Sequence, residues 1–135
     1  MKYKLELVHY LPTDLSPGFL YVSEEFGIAV HLCPCGCGSK IRTPLGKTDW
    51  VLKKTKMGPS LYPSIGNWQL PCQSHYWITE GTIVWAKRWT SEQIYEGHRR
   101  EEERNNFYFN DQLKPQQKLI RYLQTLIKKL FIRKS

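Results

Sequence analysis

Apolar positions over the first ninety residues recur mostly at strand spacing. In "KYKLELVHYL", Tyr3, Leu5 and Leu7 alternate with Lys2, Lys4 and Glu6, which predicts an edge or half-buried strand. "PTDLSPG" interrupts the alternation with a turn at Pro17-Gly18. "FLYVSEEFGIAVHLC" reads as a hairpin, with strands over 19–22 and 28–33 around a turn at 23–27. "GSKIRTPL" and "WVLKKTK" predict two further short strands. "MGPSLYPSIGNW", with Pro59, Pro63 and two glycines, reads as a long polar loop. "HYWITEGTIVWAKRW" is the clearest hairpin, apolar on both sides of Glu80-Gly81.

The spacing changes at Thr90. "TSEQ" fits a capping box, with Thr90 as N-cap and Gln93 at N3, so a helix should follow. Gly97 weakens that helix, and "HRREEERNN" gives it a solvated face. Pro115 opens a second helix over 115–132, where Leu119, Leu123, Leu126, Ile127 and Leu130 recur at i, i+3, i+4 spacing. The fold class is α+β: a small, mostly antiparallel sheet or partial barrel over 1–90, then a helical extension over 91–135.

Charge separates the same two regions. The 135 residues carry a net charge of +8, and residues 114–135 hold seven basic side chains and no acidic one. The rest of the chain is close to neutral, so the body is not a basic nucleic-acid-binding domain. Lys118, Arg121, Lys128 and Lys129 form a basic helix face suited to an acidic partner surface or nucleic acid. No apolar run is long enough to span a bilayer, and "MKYKLELVHY" lacks the pattern of a signal peptide. A reducing cytoplasm is the expected location.

That compartment bears on the cysteines. "HLCPCGCGSK" places Cys33, Cys35 and Cys37 at alternate positions, and Cys72 lies three residues before His75 in "PCQSHYW". In a reducing compartment such clusters favour a metal over disulfides. Zinc takes four tetrahedral ligands from thiolate and imidazole, commonly as two short pairs far apart in sequence. In an extended strand Cys33 and Cys37 would lie about 13 Å apart, so one ion requires the chain to fold back. Gly36 and Gly38 permit that. Cys33, Cys35, Cys37, Cys72 and His75 are thus five candidates for four positions, and spacing does not choose among them. The competing use is a [2Fe–2S] cluster with three Cys and one His, although residue 35 departs from the Rieske pattern. His31 is a possible extra partner, but strand histidines more often simply pack.

No catalytic set is legible. Asp49 and Glu80 are isolated carboxylates, and no phosphate loop of Walker type and no G-x-S-x-G is present. Ser60, Ser64 and Asn67 could line a pocket, but a loop pinned by Pro63 and Trp68 is the simpler reading. A spare thiol, Cys33 or Cys35, or an open zinc position is the enzymatic alternative.

"PGFLYVSEEFGIAVHLCPCGCGSK", "SLYPSIGNW" and "PCQSHYWITEGTIVWA" together resemble a family of small bacterial zinc-binding domains with a Cys-x-Cys-Gly-Cys-Gly turn and a Cys-x-Ser-His-Tyr-Trp-Ile segment. The resemblance covers residues 17–86. It implies neighbours of the E1-like, E2-like and metallopeptidase classes of bacterial ubiquitin-like systems. The expectation is therefore a zinc-binding adaptor of such a system. The helical end lies outside the resemblance.

Overall fold

In the computed structural model, which describes residues 2–112 and 115–134, the strands form two sheets of four. The first contains β1 (Lys4–Leu7), β2 (Phe19–Ser23), β3 (Ile28–Leu32) and β4 (Lys40–Pro44), paired in that order. The second contains β5 (Val51–Thr55), β6 (Gly58–Gly66), β7 (His75–Thr79) and β8 (Thr82–Trp85), also in order. Every pairing is antiparallel except β1 with β2. The α+β class and the mostly antiparallel pairing hold, and two C-terminal helices follow.

Alternation explains the core. Leu20 and Val22 of β2, Ile41 of β4, Leu61 and Ile65 of β6, and Tyr76 and Ile78 of β7 are buried, with Tyr3, Ala29 and Cys33. Both sheets therefore contribute to one apolar cluster. The β7–β8 turn has positive φ at Glu80 (48°) and Gly81 (79°), as a two-residue hairpin turn requires. A Cβ at Gly81 would stand 2.7 Å from the Tyr3 carbonyl oxygen, so only glycine lets the N-terminal strand approach this hairpin.

One sequence expectation fails. Residues 58–66 are not a loop but the longest strand of the second sheet. Leu61 and Ile65 enter the core, while the pairing with β7 shifts register between them. Pro63 lies within that shift, where a residue without an N–H costs no ladder bond to β7. Proline and serine content hid the strand.

By contact the chain divides into two units, residues 1–94 and 95–135. Helix α1 (Ser91–Gln112) starts at the expected capping box: Gln93 N–H donates to Thr90 Oγ1 at 3.2 Å, and Thr90 N–H to Gln93 Oε1 at 2.8 Å. Helix α2 spans Pro115–Lys134. Within the second unit, Lys118, Arg121 and Lys128 line a groove with Glu102 and Asp111 of α1. The apolar residues Leu119, Leu123, Ile127 and Leu130 are exposed. No helix among the described residues is long and apolar enough to cross a membrane.

His31 is packed, fully buried in β3, with Nε2 2.6 Å from the Tyr76 hydroxyl and Nδ1 without a partner. Burial pushes its imidazole down to about 4. An unfolded histidine titrates near ~6.5. The folded state therefore takes up fewer protons between these values. His31's contribution is complete above the unfolded value and is lost as pH falls toward the folded one, in total roughly 3 kcal/mol. Urea melts across pH 7 to ~4 should show a wild-type decline that His31→Phe, though less stable at neutral pH, shows less steeply. Parallel profiles would contradict this placement.

Candidate functional site

The chain leaves β3 at Leu32 and folds back through Cys33, Cys35 and Cys37. Gly36 (φ 88°) and Gly38 (φ 81°) take the left-handed conformations of this turn. It is closed by Gly36 N–H to Cys33 O at 3.1 Å and by Cys33 N–H to Ser39 O at 2.9 Å. Cys72 sits in a second tight turn, where Gln73 N–H donates to Leu70 O at 3.0 Å. The two turns bring the four thiol sulfurs within 4.8 Å of one another. Cys33 and Cys35 sulfurs are 3.3 Å apart, and Cys37 and Cys72 sulfurs 3.9 Å. A tetrahedral ion with four sulfurs at roughly 2.3 Å needs sulfur–sulfur edges of about 3.8 Å, so the donor set fits one ion. Hydrogen bonds from the Ser39 hydroxyl and amide hold the Cys37 thiol down at about 6, a value that favours the thiolate a metal needs. Burial pushes the Cys33 thiol up.

His75, the fifth candidate, is not in this group. Both its ring nitrogens have partners elsewhere: Nδ1 lies 2.7 Å from the Lys87 carbonyl oxygen and Nε2 2.9 Å from Ser64 Oγ. A carbonyl only accepts, so Nδ1 carries the proton. In the neutral ring Nε2 is then an acceptor, and the Ser64 hydroxyl donates to it. Ser64 is half-buried at the end of β6, and His75 is the first residue of β7, only 6% exposed. The rings of Trp68, Trp89 and Trp77 surround His75 at centroid distances of 4.9, 5.2 and 5.9 Å. Trp68 lies so close to Gly66 that a Cβ there would come within 2.5 Å of the indole.

Ser74 joins the two sites. Its hydroxyl is 3.2 Å from Cys33 Sγ and 3.6 Å from Cys72 Sγ, and it accepts from Asn67 Nδ2 at 2.8 Å. Asn67 N–H also donates to Ser74 O at 2.8 Å. Asn67 lies three residues after Ser64, and Ser74 immediately precedes His75. Of the other residues read from the sequence, Ser60 is buried and accepts from Glu80 N–H at 2.8 Å, a structural role. The Lys87 carbonyl had no sequence signal, because any residue supplies one.

A family model described as bacterial ubiquitination-like system serine protease (BubE) matches residues 7–86. The chain belongs to the BubE family. The BubE segment contains all four cysteines, Ser64 and His75, and it ends one residue before Lys87. No curated protein and no solved structure matches the chain.

Proposed function

We propose that this protein is a serine peptidase of a bacterial ubiquitination-like system, with Ser64 as nucleophile and His75 as general base, on a scaffold tied together by one zinc ion. The observation that carries this is the 2.9 Å contact between His75 Nε2 and Ser64 Oγ, with Nδ1 held by the Lys87 carbonyl. The family description names the same class of activity. The expectation of a non-catalytic adaptor rested on finding no catalytic set and on a resemblance that implied conjugation enzymes as partners; the contact between Ser64 and His75 supports a catalytic pair instead.

Ser64 Oγ attacks the substrate carbonyl carbon while its proton passes to His75 Nε2. The Lys87 carbonyl keeps the ring oriented and accepts from Nδ1–H as the imidazolium forms, the part a carboxylate takes in serine triads. The imidazolium then protonates the leaving amine. Water, deprotonated by the same nitrogen, releases the acyl group from Ser64.

Zinc's role would be structural. Four protein sulfurs leave no open position for water or substrate, and their convergence suits a single ion better than a two-iron cluster. Cys33, Cys35, Cys37 and Cys72 would hold the ion, leaving His75 to the serine. The substrate class is a polypeptide joined to the system's ubiquitin-like protein, whose E1-like and E2-like enzymes would make the bond this protein cuts. The test is a fusion of that ubiquitin-like protein to a C-terminal reporter. Wild-type protein should release the reporter and Ser64→Ala should not; release by Ser64→Ala at the wild-type rate would reject the reading.

A further inference from the structure

The outward face of the second sheet carries a row of apolar side chains beside Ser64 and His75. Strand register defines it. Leu61 pairs with Ile78 and both are buried, so their neighbours Tyr62 and Trp77 point outward. Val51 pairs with Tyr62, and Trp77 with Val84. Outward apolar positions thus lie on all four strands, as the pairs Val51–Tyr62 and Trp77–Val84 beside the Leu61–Ile78 pair where the β6–β7 register shift begins. Val51 is 56% exposed, Tyr62 52% and Val84 46%, although each sits where a polar residue would serve a solvated face.

The row adjoins the proposed nucleophile and base. His75 precedes Trp77 by two positions and shares its face of β7, with the ring centroids 5.9 Å apart. Ser64 reaches this face through its contact with His75. The stacked Trp68 and Trp89, 5.3 Å between centroids, continue the apolar surface around the His75 ring. Across four strands the row is about 14 Å long, enough for roughly four residues of extended polypeptide. None of its four side chains bears a charge.

We infer that the Val51–Tyr62–Trp77–Val84 row is a substrate subsite that receives apolar side chains flanking the scissile bond. This rests on the Ser64–His75 reading and adds a specificity to it: the substrate is a polypeptide with apolar residues next to the bond that is cut. Burying those side chains against the row removes apolar surface of both partners from water. A polar segment would lose hydration there without a hydrogen-bond partner.

The test uses internally quenched peptides with one scissile bond, flanked by Leu and Val or by Ser and Gln. Wild-type protein should favour the apolar peptide about tenfold or more in kcat/KM. The double variant Tyr62→Ser/Val84→Ser should bring that ratio toward one, chiefly by raising KM for the apolar peptide. Both positions are exposed, so the fold should persist; thermal melts check this, and Val51→Ser is the fallback variant. A wild type without the preference overturns the inference, as does a double variant that retains it. So does a wild type whose row is covered by a second copy, seen as a dimer that the double variant loses while its preference stays. If wild type reacts with a fluorophosphonate at Ser64 yet shows no peptide preference, only the subsite fails. If it neither reacts nor cleaves, the Ser64 reading fails and the subsite with it.

Discussion

Ser64→Ala should lower the rate of reporter release by at least about a thousandfold while leaving the melting temperature within a few degrees of wild type. The hydroxyl is the bond-forming atom, and removing it leaves only binding and the surrounding dipoles to act. It is half-buried and its hydroxyl bonds the His75 ring, so little stability depends on it. His75→Ala should cost a similar factor, and combining the two should cost little more than either alone, because they act as one unit. Metal content separates this from a ligand role for His75. If the four cysteines hold the ion, His75→Ala retains one equivalent of zinc; if His75 is a ligand, the content falls.

Removing the proposed zinc ion should have the second large effect. The turn at 33–38 and the turn at 70–73 meet through the four sulfurs, and Ser74 passes that restraint to Asn67 and His75. Without the ion, four thiols crowd together, and the segment holding His75 loses its anchor at Cys72. Structural zinc contributes on the order of 10 kcal/mol in small domains. Even a third of that would lower the melting temperature of a unit this size by about 15 °C. A strong chelator, or Cys33→Ser, should therefore unfold or loosen residues 1–94 and abolish reporter release together. Re-adding zinc after chelation should restore both. A chelated protein with an unchanged melting temperature would rule out a structural ion.

How much of this was legible in the sequence follows from the range of each signal. The cysteine knuckle was, because Cys33, Cys35, Cys37, Gly36 and Gly38 lie within six residues and their chemistry is local. The Glu80-Gly81 hairpin and the Thr90–Gln93 capping box were legible for the same reason. β6 was not: Pro59, Pro63 and Ser64 suppress strand propensity, and only the register shift and the partners on β5 and β7 make the segment extended. The pairing of Ser64 with His75 depends on that strand. His75 read as one of five candidate ligands because it follows Cys72 at ligand spacing, whereas in the fold β7 begins at His75 and its ring meets Ser64 near the end of β6. The second sheet's outward row was equally hidden, since it exists only as register across four strands.

The central claim is that Ser64 is a nucleophile activated by His75, and the most direct measurement is the site of covalent reaction with a fluorophosphonate. The reagent should add one phosphonyl group to the zinc-loaded protein, and peptide mapping by mass spectrometry should place it on Ser64. Labelling should disappear in Ser64→Ala and fall sharply in His75→Ala. No adduct on folded, metal-replete protein, or an adduct on another residue that persists in Ser64→Ala, would contradict the assignment.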